Sequence, residues 1–114
     1  MEGAERPPGS ERMSAHILIT CIVTRGLAKE IMREARQAGA SGGTILDARG
    51  TCTDEDVKFC GIRLVPEKEI LLIMAHPEQV GTIVEAIRRL PAFSQPGEGI
   101  ISTTKVEEFY KLGF

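Results

Sequence analysis

Ser41-Gly42-Gly43-Thr44-Ile45-Leu46-Asp47-Ala48-Arg49-Gly50-Thr51 places a short run of strand-forming residues between glycines. A second run of this kind comes late in the chain, at Gly97-Glu98-Gly99-Ile100-Ile101. Glycine at a strand end admits close approach by another backbone or by a phosphate, and it lets amides point outward where a Cβ would block them. Taken singly, each of these glycines reads as a tight turn. Two such ends in a small domain, one of them carrying Thr44 and Arg49, suggest a ligand cleft.

Outward from Thr44–Arg49 the chain divides into strands and helices. Upstream, Ile17 to Val23 is almost continuously apolar and mostly β-branched, closed by Thr24-Arg25-Gly26, which suits a strand central in a sheet. His16 opens that strand. Leu27, Ala28, Ile31, Met32, Ala35 and Ala38 then recur at helical spacing with charged residues between them, and Gly39 supplies a stop. Downstream, Ile70 to Ala75 forms a third strand that starts as early as Glu67. His76-Pro77-Glu78 opens a second helix, whose apolar stripe is Val80, Ile83, Val84, Ile87 and Leu90 and whose end is Pro91. Gly99 to Thr104 reads as a fourth strand, and Val106 to Leu112 as a short helical or extended tail with Phe109 and Tyr110 available for packing.

This order, strand-helix-strand twice over, predicts an α+β fold: a four-stranded antiparallel sheet with both helices on one face, because crossovers are right-handed. The strands carry apolar residues on both sides, and the chain has no further element to cover the second face. Burial against symmetric copies, in a closed homo-oligomer, is the expected solution. Residues 1–15 read as a flexible tail poor in apolar side chains, with Met13 an alternative start, and residues 16–114 as the folded domain.

Composition narrows the function classes. With 14 basic and 16 acidic residues among 114 the net charge is −2, which offers no basic field for nucleic acid. No apolar run approaches the ~20 residues that span a bilayer, and no signal-peptide pattern is present. Cys21, Cys52 and Cys60 form an odd set, so a cytoplasmic protein with reduced thiols is expected. His16 and His76 stand apart from one another and no Cys-x-x-Cys occurs, which gives zinc little support and leaves no metal site assigned.

Between Thr51 and Val65 the chain is far longer than the two to five residues of a simple hairpin. An acidic tip, Asp54-Glu55-Asp56, precedes Lys58 and the aromatic Phe59. Two readings stand side by side, an extended hairpin ribbon with solvated acids and a dedicated partner-recognition loop. Three consecutive acids cannot all face one cation unaided. Cys52 and Cys60 flank the arm eight residues apart, either within disulfide reach or serving as small hydrophobes.

Three blocks in order carry a resemblance: Gly42 to Thr51, Cys60-Gly61-Ile62-Arg63-Leu64-Val65-Pro66-Glu67-Lys68-Glu69-Ile70, and Pro96 to Ile100. Over roughly Ile17 to Leu112 the chain resembles the P-II-like signalling proteins, in their divergent nitrogen regulatory branch. The resemblance implies a ferredoxin-like βαββαβ homotrimer that binds adenine nucleotides in clefts between subunits and contacts a regulated transporter or enzyme through the long loop. It implies that Thr44 lies near the adenine, that Arg49, Gly50, Thr51 and Cys52 form the root of the loop, and that Gly97, Glu98 and Gly99 form a phosphate loop. Asp54, Glu55, Asp56, Lys58 and Phe59 would then contact the partner. Ile100 stands where the family has a phosphate-binding lysine, and Lys111 and Gly113 stand at the later arginine pair. Each lost charge-assisted hydrogen bond costs ~1.5–3 kcal/mol. The one tyrosine is Tyr110, outside the loop, so loop-tyrosine nucleotidylation is excluded.

The leading expectation is therefore a non-enzymatic regulator with no obligatory cofactor, sensing a small anionic metabolite or ATP, ADP or AMP. It would act without nucleic acid and without membrane insertion. A small-molecule-binding enzyme subunit is a second class, although no Ser-His-Asp set or catalytic histidine spacing is evident. A third is a metal-binding trimer of the divalent-cation tolerance type, in which Cys52, Cys60 and His76 would have to converge.

Overall fold

The computed structural model describes residues 10–12, 15–50, 58–59, 62–63, 67–94 and 99–113, and among them eight strands and two helices follow one another along the chain. They are β1 (Ser10–Arg12), β2 (His16–Thr24), α1 (Ala28–Gln37), β3 (Thr44–Arg49), β4 (Lys58–Phe59), β5 (Ile62–Arg63), β6 (Glu67–Ala75), α2 (Pro77–Arg88), a 3₁₀ turn (Pro91–Ser94), β7 (Gly99–Val106) and β8 (Tyr110–Leu112). The main sheet is antiparallel throughout, in the order β3-β6-β2-β7. The β-branched run thus lies at the centre, as its composition predicts, and β3 and β7 form opposite edges.

Alternation along the strands decides the layers. Ile19, Cys21 and Val23 of β2 and Leu71, Ile73 and Ala75 of β6 share one face and are each at most 2 % exposed. They join Ile31, Met32 and Ala35 of α1 and Ile83 and Ile87 of α2 in a single core, so both helices cover that face. The register turns Leu18, Ile22, Leu46, Ile70, Leu72, Met74 and Ile100 to the other face. There Leu46 is 45 % and Ile100 64 % exposed, and the face stays open to solvent in the single chain.

The helix ends are fixed by contacts that span the sequence. No side chain of its own caps α1; instead Glu69 of β6 accepts from the amides of Gly26 at 2.9 Å and Ala28 at 3.0 Å. A carboxylate at this end satisfies orphan donors and complements the helix dipole. At the far end of α1, Gly39 adopts φ +119°, and Ala40 donates to the Ala35 carbonyl at 2.9 Å. His76 is the N-cap of α2, and Pro77 takes the first helical position as its neighbours predict. Gln79 Oε1 accepts from the His76 amide at 3.0 Å, while its Nε2 donates to the Gly39 carbonyl at 3.1 Å, joining the end of α1 to the start of α2.

One segment differs from the sequence reading, and two open readings resolve. In the expected flexible tail, Ser10–Arg12 pair with Tyr110–Leu112 as a two-stranded ribbon, because backbone donors and acceptors pair whatever the side chains. Of the two forms open to Val106–Leu112, the chain takes the extended one: β7 runs on to Val106 and β8 follows. In the long arm, Lys58 and Phe59 pair with Arg63 and Ile62, so these residues take the hairpin-ribbon form. Thr51, Cys52, Asp54, Glu55, Asp56, Cys60, Gly97 and Glu98 lie outside the described residues.

Candidate functional site

The candidate residues are spread along the sheet, from the end where the arm leaves, through its middle, to the opposite end. Arg49 and Gly50 close β3 where the arm leaves, and Gly99 opens β7 at the same end, since Gly99 faces Val23 and Val23 faces Glu69. Thr44 begins β3 midway along the sheet, facing Leu72, which faces Thr20 at the middle of β2, and it is five residues or about 17 Å from Arg49 at the rise of a strand. Lys111 is at the other end. It shares a hollow with His16, and His16 precedes Val23 on β2 by seven residues, roughly 24 Å. Within one chain, therefore, Lys111 and Gly99 lie at opposite ends of the sheet.

At the arm end a hollow of about 160 Å³ is lined by Arg25, Asp47, Ala48, Arg49, Glu67 and Lys68. Sheet register gathers these charges: Arg49 faces Glu67, Ala48 faces Lys68 and Asp47 faces Glu69. Arg25 forms an ion pair with Glu67 through Nη1 and donates its amide to the Glu67 carbonyl at 3.1 Å. The hydrogen bond to Glu67, then the charges of Glu67, Asp47 and Glu69, push the Arg25 guanidinium above its ordinary range. In the sequence Arg25 marks only a strand boundary. Its place beside Glu67 follows from pairing across 42 residues, which no local spacing reveals.

Across the sheet, three strand spacings or roughly 14 Å away, a hollow of about 250 Å³ lies along the start of β7. Cys21, Val23, Ile87, Arg88, Phe93 and Gly99 are among its walls. A Cβ on Gly99 would stand 2.8 Å from Val23 Cγ1 and 3.0 Å from the Ile22 carbonyl. Close packing of the chain on itself is thus sufficient to require glycine here. Gly43 has the same cause, with the Leu72 carbonyl and Met32 Sδ both at 2.9 Å from such a Cβ. Burial pushes the Cys21 thiol up to about 11, so this wall carries no thiolate at neutral pH.

From the middle of the sheet toward its other end, Thr44 borders an apolar hollow of about 490 Å³ on the open face with Leu18, Gly42, Gly43, Leu72 and Met74. Met74 also borders the hollow of about 320 Å³ that contains Lys111. There the pairing of Ile17 with Ala75 carries His16 up to His76, their ring centroids 4.5 Å apart, and Phe109 meets His16 edge-on at 4.6 Å. Each histidine stands where the sequence placed it, one opening a strand and one a helix. Their meeting has no local signal in the sequence, because it depends on the β2–β6 register.

Among the described residues no group of three or more His, Cys, Asp or Glu side chains could hold a metal ion, and no helix is long and apolar enough to cross a membrane. No family model matches the chain, and no curated protein matches its sequence. Solved structures do match its fold. CPII, a nitrogen regulatory PII-like protein from Thiomonas intermedia bound to ADP, AMP and bicarbonate, superposes with a TM-score of 0.63 at 14 % identity, covering 83 % of this chain and 92 % of that one. A protein from Thermus thermophilus described as PII-like signaling superposes at 0.59 with 21 % identity, covering 86 % of this chain and 90 % of that one.

Proposed function

We propose, for a chain that has the fold of PII-like proteins, that it is a non-enzymatic cytoplasmic signalling protein. In this reading it binds an adenine nucleotide or another small anion at clefts between subunits and regulates a partner protein through the arm at residues 51–65. The observation that carries the reading is the division of the candidate groups between two sheet edges, with Thr44, Arg49 and Gly50 on β3 and Gly99 on β7, beside an apolar face open to solvent. Neither edge alone encloses a ligand.

Closure of three copies through the open faces would bury Leu46, Leu72 and Ile100 and set the β3 edge of one chain beside the β7 edge of the next. A nucleotide lying along β3 would have its base by Thr44 and its phosphates by Arg49 and Gly50. Arg49 is an exposed cation at that position, and glycine-flanked amides accept phosphate without a metal. Arg25, one of three cations lining the arm-end hollow with Arg49 and Lys68, can exchange Glu67 for a phosphate oxygen. Glu67 begins the strand on which the arm returns, so that exchange gives the ligand a preference between arm positions, which any ligand-driven switch requires. The binding of ADP, AMP and bicarbonate by CPII supports trying these ligands first.

Calorimetry with ADP, AMP and bicarbonate, run beside light scattering, tests the reading. Binding to an assembly of three chains is expected, with Arg49→Gln weakening nucleotide affinity by ~1.5–3 kcal/mol, the worth of a charge-assisted hydrogen bond. Nucleotide recovered intact after long incubation is the expected sign that no turnover occurs. A lone subunit at working concentration, or no heat from any of the three ligands, would overturn the proposal.

A further inference from the structure

We propose a second ligand site, for a small aromatic carboxylate, in the hollow at the end of the sheet away from the arm. His16, His76, Phe109, Lys111, Gln79 and Ser41 line a space of about 320 Å³, at the small end of the range for organic-ligand pockets. Three rings form one wall, with His16 packed between His76 at 4.5 Å and Phe109 at 4.6 Å. A flat ring can stack or meet edge-on against such a wall. Met74 adds a polarizable sulfur at the rim.

The polar groups select the charge of the guest. Lys111 is the one lysine or arginine among the described lining residues, no aspartate or glutamate is among them, and a bound carboxylate would compete for Lys111 with Glu11, which faces it across the β1–β8 ribbon. An anion is therefore favoured and an amine is not. The floor is pre-built, since Gln79 is held at both ends of its amide, by the His76 amide and by the Gly39 carbonyl. The Ser41 hydroxyl is left to orient a carboxylate beside the ammonium of Lys111. His16 is only 7 % exposed, so the ring wall is a fixed surface rather than a mobile flap. This end is roughly 24 Å along β2 from Gly99, too far for one small molecule to occupy both places.

The chain has two histidines and both belong to this cluster, so their imidazole proton resonances report on this hollow alone. The full chain is titrated with benzoate, benzamide and acetate while those signals are followed. Benzoate is expected to shift both imidazoles to saturation. Benzamide, which keeps the ring without the charge, and acetate, which keeps the charge without the ring, are each expected to bind at least tenfold more weakly. Lys111→Gln and Phe109→Leu should each weaken benzoate about tenfold or more, with circular dichroism melting used to establish that both variants fold. ADP present throughout should leave the benzoate shifts unchanged, which separates this site from the nucleotide cleft. Imidazole signals that ignore benzoate, or benzoate affinity equal to that of benzamide or unmoved by Lys111→Gln, would overturn the assignment.

Discussion

On β2, Ile19, Cys21 and Val23 are at most 1 % exposed, while the residues between them face the side where Ile100 is 64 % exposed. The same strand therefore supplies a finished surface and an unfinished one. On the finished side, two amphipathic helices from the same chain complete the packing. On the other, residues just as apolar have no helix over them among the described residues. The comparison teaches that strand hydrophobicity in this chain exceeds what its own helices cover, and the association proposed above is the use it would have.

The largest effect is expected where a charge is placed on the unfinished side. Leu72→Asp, at the middle of that face, should dissociate the assembly to single chains by sedimentation while far-ultraviolet circular dichroism is retained. An assembly that survives this change would break the comparison. Ile19→Ala, on the finished side, should cost ~2–5 kcal/mol in denaturant unfolding, the range for deleting a fully buried branched side chain. Gly99→Ala sits between the two cases, since its new methyl would press on Val23 and the Ile22 carbonyl. A loss of ~1–3 kcal/mol is expected from this overpacking. A negligible loss would mean that β7 gives way and that a ligand, rather than packing, keeps the glycine.

The smallest effect concerns Cys21, whose thiol burial raises from 9.0 to about 11. The unfolded chain then loses its thiol proton before the folded one does. Stability from this group is fully present below pH 9 and declines as pH rises from 9 through about 11. Melting of the wild type and Cys21→Ala across that window checks the sign, because the alkaline decline should be shallower in the variant. A thiol reagent at pH 8 should leave Cys21 unmodified until the chain is unfolded.

Much of the fold was legible because its signals are local. The β-branched run gave β2, the helical spacing of Ile31, Met32 and Ala35 gave α1, and Pro77 after His76 marked the start of α2. The open face was legible too, since strands apolar on both sides had only two helices to cover them. What escaped depends on pairing between distant segments. Neither the ribbon of Ser10–Arg12 on Tyr110–Leu112 nor the contact of His16 with His76 has a signature within a few residues. The site shows the same division. Thr44, Arg49 and Gly99 could be named as candidates from local glycines and charge, but their placement on opposite edges, and the removal of Lys111 to the other end, come from strand order and register.

Glu69 ties two distant parts of the molecule into one lever. It is the third residue of the strand on which the arm returns, and its carboxylate grips the first amides of α1. Any shift at the start of this strand that draws the carboxylate off Gly26 and Ala28 would leave the first turn of the helix without its acceptor. A force applied to the arm would thereby be felt in the layer of helices on the far side of the sheet.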